Sequence, residues 1–220
     1  MKKLLRWCNT HPVYTLVGYY MLYLCWFYFA EYRNPVPKYI IHTGIDDIIP
    51  FTVWAVIPYA SWAPFIFFSL LLFVLYASRE ELWRLAVPMM CGMVLTVGFY
   101  LFVPTGLNLR PETMSGPSFL VWIVELLHKA DTPTNVCPSI HVFISFIIDQ
   151  AWQRSALIAG ERNRWKRILI RLWDLAIILS TLFLKQHSVI DVIAGMAVGL
   201  LLDYAGTHMN MKKLREYAEI

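Results

Sequence analysis

Residues 183–199 read FLKQHSVIDVIAGMAVG. From Val189 onward the stretch is an apolar run suited to a membrane helix, yet Lys185, Gln186, His187, Ser188 and Asp191 crowd its mouth. Burying ionisable groups at the edge of a bilayer is costly, so residues found there usually have partners and a task. The stretch therefore raises two questions: how many such helices the chain holds, and what gathers around this one.

The chain has 220 residues, 58% of them hydrophobic and only 15% charged. Its mean hydropathy is +0.53, which excludes an ordinary soluble domain. A helix needs about 20 residues to cross a hydrocarbon core of about 30 Å. Segments of that kind are expected near 13–30, 50–76, 83–103, 138–156, 168–184 and 188–206. The expected fold is an all-α polytopic membrane protein, with six transmembrane helices in one domain over residues 1–220. Pro50, Pro58 and Pro64 predict a bend in the second span, and Asp149 and Gln150 place polar groups inside the fourth. The long connection 104–137 carries apolar residues at helical spacing over 116–128, which predicts a short interfacial helix.

Fourteen of the 19 Lys and Arg fall on one set of alternating connections. The others are Arg33, Lys38, Arg110, Lys129 and Lys185. The positive-inside rule then makes both termini cytoplasmic. The basic run ERNRWKR at 161–167 has this topological explanation, and no nucleic-acid partner is expected. The first apolar segment is read as an uncleaved anchor, being longer and more aromatic than a signal core. Cys8, Cys25, Cys91 and Cys137 have no metal-ligand spacing, so neither a disulfide framework nor a metal or other cofactor is expected.

With this topology three segments meet at the outer surface: Arg110 in NLRPE, Ser139 and His141 in VCPSIH, and Lys185, His187 and Asp191 in the opening stretch. His187 and Asp191 stand at i and i+4, so the carboxylate can orient the imidazole and leave its other nitrogen as a nucleophile. The N-terminus of the helix would favour an anion attached there. Pro138 suits a first helical turn, Ser139 can cap it, and His141 follows within that turn. Arg110 offers a planar donor fork matched to phosphate oxygens. Two histidines, an orienting carboxylate and fixed cations point to phosphoryl transfer through a phosphohistidine.

Each residue also has a plainer role. An interfacial His commonly just forms hydrogen bonds, and Arg110 alone could be a topological anchor. Asp46 and Asp47 lie on the outer side, where they could border the site, but are read as a helix cap, and Asp149 and Asp174 as inter-helix glue near Arg154 and Arg171. His11 and His208 fall on the cytoplasmic side, while His42 and His128 are expected as outer surface residues. The aromatic residues are read as interfacial belts and bundle packing.

These motifs resemble the type-2 phosphatidic acid phosphatase superfamily, the metal-independent lipid phosphate phosphatases. Its three signature parts correspond here to Arg110-Pro111, to Pro138-Ser139-Ile140-His141, and to Ser180-Thr181 followed by His187 and Asp191. The resemblance spans roughly residues 104–199. It implies that His187 attacks phosphorus, Asp191 orients it, His141 serves as acid and then base, and Arg110 and Ser139 hold phosphate oxygens. Val103, Ile140 and Thr181 stand where the family has Lys, Gly and Arg. Lys185 is expected to replace one missing cation, against a plainer role as a snorkelling interfacial lysine.

The expected activity is hydrolysis of a lipid phosphate or diphosphate at the outer face of a cell membrane, a bacterial inner membrane being the expected setting. PSIH also resembles the branch containing inositol phosphorylceramide synthases, so transfer of a phosphoryl head group to a lipid alcohol is the alternative. A non-catalytic protein binding anionic head groups is a third possibility. It gives no reason for the His187 and Asp191 spacing. The expected partners are the lipid substrate and membrane lipids.

Overall fold

The computed structural model describes residues 2–208, so Lys212, Lys213 and Arg215 of the charge pattern lie outside the described residues. A short amphipathic helix, α1 (Lys2–Thr10), leads into α2 (Pro12–Arg33). After β1 (Tyr39–Ile40) and α3 (Gly44–Ile48), a 3-10 turn at Val53–Ala55 opens α4 (Val56–Ala60) and α5 (Trp62–Tyr76). The expected bend in this segment falls at Ser61, between α4 and α5. Then come α6 (Arg79–Phe102), β2 (Thr105–Gly106), α7 (Ser118–Ala130), α8 (Ile140–Arg154), α9 (Arg164–Phe183) and α10 (Val189–His208).

Among the described residues, four helical segments are long and apolar enough to cross a membrane: Pro12–Arg33, Val53–Tyr76, Arg79–Phe102 and Val189–His208. Large apolar side chains lie exposed along them, among them Leu22, Tyr28, Phe67, Leu75, Ile193 and Leu201. In water so much bare apolar surface would be untenable; in lipid it is the expected exterior. The fourth and fifth expected spans coincide with α8 and α9, which fall outside that set of four. At 15 residues α8 is about 22 Å long. It is sheathed by α6, α9 and α10, with Val142, Phe143, Ile147 and Ile148 fully buried, so it need not match lipid itself. α9 carries Arg171 and Asp174, and Arg171 pairs with Asp149 of α8 at 2.9 Å. Gln150 and Gln153 of the same helix also donate to Asp149, so the expected glue is formed by Asp149 with Arg171, whereas Arg154 pairs with Asp203 of α10 and Asp174 Oδ1 has no hydrogen-bond partner among the described residues.

The tightest packing is between α8 and α10. A Cβ at Gly195 would stand 2.7 Å from the Ser139 carbonyl oxygen, and one at Gly199 would stand 2.9 Å from the Phe146 ring. Glycine lets the two backbones touch, as in other membrane helix pairs. This contact sets the N-terminal ends of α8 and α10 side by side, and Ser139 N–H donates to the Asp191 carbonyl at 3.1 Å.

At that same end, β1 and β2 pair in parallel, Tyr39 with Thr105 and Ile40 with Gly106. Thr105 Oγ1 accepts from the amides of Val136 and Cys137, both at 3.1 Å. The Tyr100 hydroxyl donates to the Pro138 carbonyl at 2.7 Å. The segment before His141 is thus tied to the end of α6. α7 lies across this end, with Leu120 and Val124 packed on Val53, Val56 and Tyr59. Its opposite side leaves Phe119, Trp122 and Leu126 exposed. The opposite end of the bundle holds Arg154 paired with Asp203, and Arg84 donating to the Thr207 carbonyl.

Candidate phosphate site

Both motif histidines stand at helix starts. Ser139 caps α8 by accepting from Val142 N–H at 3.4 Å, as expected, but Pro138 precedes the cap and is not in the first helical turn. His141 is therefore in the first turn of α8. Its ring stacks on Tyr59 with centroids 4.9 Å apart and meets Trp62 at 4.1 Å. His187 is held just before α10, and its Nε2 lies 3.3 Å from Nδ1 of His141.

The other His187 nitrogen, Nδ1, lies 3.5 Å from Asp191 Oδ2. That is an ion-pair distance, longer than a hydrogen bond. Oδ2 is already bonded to Ser188 N–H at 2.8 Å, while Ser188 Oγ accepts from Ile190 N–H at 3.3 Å. Ser188 and Asp191 therefore cap the start of α10 together, the hydroxyl on the Ile190 amide and the carboxylate on the Ser188 amide, a second role for this carboxylate that the sequence did not reveal. His187 Nδ1 and Asp191 Oδ1 are both buried with no hydrogen-bond partner among the described residues. Two such groups side by side need only a small ring movement to bond. Cys137 also neighbours this carboxylate, and burial first, then Asp191, pushes its thiol up to about 12.

Asp46 has a larger part than the helix cap expected of it. It forms that cap, accepting on Oδ2 from Thr43 N–H at 2.7 Å and the Thr43 hydroxyl at 3.0 Å. It also reaches across to accept from Ser188 Oγ at 2.7 Å and Val189 N–H at 2.8 Å. Burial acts to raise this carboxyl, but the four hydrogen bonds outweigh it and hold the group below its usual range. The positive end of α10 is consequently served by two carboxylates, which corrects the expectation that it would be open to a phosphoryl anion.

Lys185 is likewise placed differently from the expectation. Its ammonium donates to the backbone carbonyls of Asp46 and Ile49, so it clamps the α3 loop to the turn before His187. It takes a left-handed backbone, φ 56°, which costs a non-glycine residue about 1 kcal/mol. The two hydrogen bonds offset that cost. Val103 ends α6, and the Thr181 hydroxyl turns back on its own helix to the Ile178 carbonyl, so neither supplies a cation.

Arg110 does reach this end. Its guanidinium donates to the His128 carbonyl at 3.2 Å, the Asp131 carbonyl at 2.7 Å and Gln186 Oε1 at 2.7 Å, while its buried Nε has no hydrogen-bond partner among the described residues. Gln186, which the sequence showed only as a member of the polar cluster, couples Arg110 to the His187 turn. His128, expected at the surface, has a buried Nε2 without a hydrogen-bond partner among the described residues.

Asp131 was missed as well. It follows α7, accepts from the Tyr59 hydroxyl at 3.0 Å, and lies within electrostatic reach of His187, Arg110 and Glu31. Burial pushes its carboxyl above the usual range, against the pull of His187, Tyr59 and Arg110. The arrangement as a whole can position a nucleophile, exchange a proton between two imidazoles, and offer donors from Arg110 and Ser139. Compared with protein-family models, with curated proteins and with solved structures, the chain matches none.

Proposed function

We propose that the chain is a metal-independent membrane phosphatase that hydrolyses a lipid phosphate or diphosphate through a phosphohistidine. The observation that carries this reading is the 3.3 Å approach of His187 Nε2 to His141 Nδ1, with Asp191 beside the opposite His187 nitrogen. An anion-binding site has no need of two imidazoles joined in that way. With Nδ1 facing the carboxylate, Nε2 keeps a lone pair.

In the first step Nε2 attacks phosphorus, the P–N bond forms, and the P–O bond to the lipid breaks. His141 gives its proton to the leaving oxygen. Water then attacks the phosphohistidine while His141 takes its proton, the P–N bond breaks, and inorganic phosphate leaves. A phosphoryl group must part the two rings to reach Nε2. Arg110 and Ser139 hold the non-bridging oxygens.

In this reading α2, α4 with α5, α6, α8, α9 and α10 form six spans with both termini cytoplasmic and the histidines on the outer side. α7 lies in the outer interface on Phe119, Trp122 and Leu126. The membrane is the cell membrane, a bacterial inner membrane in the simplest case. If a lipid alcohol replaces water in the second step, the same site is a lipid phosphotransferase.

The test is phosphate release from phosphatidic acid, phosphatidylglycerol phosphate and a polyprenyl diphosphate by purified protein in excess chelator. Release that continues in chelator and is lost in His187→Ala supports the reading; equal release by wild type and His187→Ala overturns it. Adding diacylglycerol or ceramide and looking for a new phospholipid separates transferase from hydrolase. Labelling of Lys129→Cys by an impermeant maleimide from outside intact cells supports the topology, and labelling only after lysis reverses it.

A further inference from the structure

The acids at the histidine end of the bundle differ in how well they are satisfied. Asp46 receives four hydrogen bonds. Glu31 receives the hydroxyls of Thr132 and Thr134 and the Asn135 amide. Asp131 receives one, from Tyr59, among the described residues. A carboxylate offers about four lone-pair sites on its two oxygens, and one removed from bulk water normally fills more than one of them. Asp131 is only partly buried, so a ligand can reach it.

Its position makes the shortfall informative. The Asp131 carbonyl holds Arg110, its carboxylate interacts with His187, and Tyr59, which it holds, stacks on His141. A carboxylate here repels phosphate oxygens, so it adds nothing to anion binding. It suits a hydrogen-bond donor carried near the phosphate. Arg110 already sets positive charge beside it, which favours a neutral donor over an ammonium.

We propose that Asp131 accepts a hydrogen bond from an alcohol hydroxyl of the lipid bound at the histidine pair, a substrate preference that rests on the phosphate-site reading above. The hydroxyl has two possible sources: the phosphorylated lipid's own backbone, or a separate lipid alcohol brought up as acceptor.

Equilibrium binding in detergent micelles, followed by native mass spectrometry, tests this without relying on turnover. The first arm compares the phosphonate analogue of 1-acylglycerol 3-phosphate, in which CH2 replaces the bridging oxygen so that it does not turn over, with its 2-O-methyl ether. The second compares diacylglycerol with its O-methyl ether, on protein saturated with the corresponding phosphonate analogue of diacylglycerol phosphate. Wild type should favour the free hydroxyl by about tenfold in one arm, and that arm names the source. The ratio should fall to about one in Asp131→Ala and persist in Tyr59→Phe, which leaves the carboxylate in place. A ratio near one in both arms for wild type, a preference unchanged in Asp131→Ala, or tighter binding of an ethanolamine-bearing lipid overturns the proposal. Failure of the phosphatase reading is separate: no phosphate is released from any lipid, while the binding ratio is still read.

Discussion

Nε2 of His187 stands 3.3 Å from Nδ1 of His141, joining two helix starts that lie 46 residues apart in the chain. If the Asp191 side of His187 carries the ring proton, His141 must donate across this contact. The two rings then share a single proton path, and removing either ring breaks it.

His187→Ala and His141→Ala should each lower phosphate release from a lipid phosphate by about a thousandfold or more. The two should differ in trapped intermediate. With acid-quenched radiolabelled substrate, His141→Ala retains some phosphohistidine and His187→Ala none. Equal labelling of both variants would remove His187 as the nucleophile.

Asp191 and Ser188 separate orientation from capping. Asp191→Asn keeps an oxygen for Ser188 N–H but withdraws the charge facing His187, so its melting temperature should change little while turnover falls about a hundredfold. Ser188→Ala removes the cap and the bond to Asp46, with a stability cost of about 1–2 kcal/mol. Thermal melts beside initial rates distinguish the two; the same profile in both variants contradicts separate roles.

Asp46→Ala strips four hydrogen bonds and should cost about 3 kcal/mol. The pH dependence has a definite sign. Its carboxyl is held below 3.8 in the folded state, so its contribution is complete above that value and fades as pH falls through the lower folded one. The difference in melting temperature between wild type and Asp46→Asn should therefore narrow in acid. A gap that widens there would refute the assignment.

Lys185→Met should act on stability, because the side chain holds two backbone carbonyls. Hydrogen exchange across 44–50 should quicken, with KM for the lipid phosphate rising less than threefold, about 0.6 kcal/mol. A tenfold or larger KM rise with unchanged exchange would return Lys185 to the phosphate site.

Gly195→Val should separate α8 from α10, since even a Cβ meets the Ser139 carbonyl oxygen at 2.7 Å. The expected loss is about 2 kcal/mol or more, with activity falling as His141 and His187 part. An unchanged melting temperature would contradict the close contact.

The bend in the second expected span, α7 and the helices α2, α5, α6 and α10 could be read from proline spacing and apolar runs, because those features depend on neighbours within a few turns. Ser139 as a cap was readable for the same reason. α8 and α9 were readable as helices but not by hydropathy alone, since both carry polar groups: Asp149 pairs with Arg171, while Asp174 keeps a buried oxygen without a hydrogen-bond partner among the described residues. Whether such a helix is tolerated depends on its neighbours, not on its own composition.

The site divides along the same line. The sequence by itself determined that PSIH opens a helix, because a cap and the turn after it are local; it set His187 and Asp191 four residues apart, but His187 falls in the turn before α10 and not on a face of that helix. Only the tertiary structure decided which imidazole nitrogen faces which group, that Lys185 turns to carbonyls of Asp46 and Ile49, and that Asp131 and Gln186 join Arg110. Asp46 and Ser188 are 142 residues apart, and no local rule links them. Side-chain partners at that separation are set by how the helices pack, and here the glycine contact of α8 on α10 fixes the distance at which every other group of the site must fit.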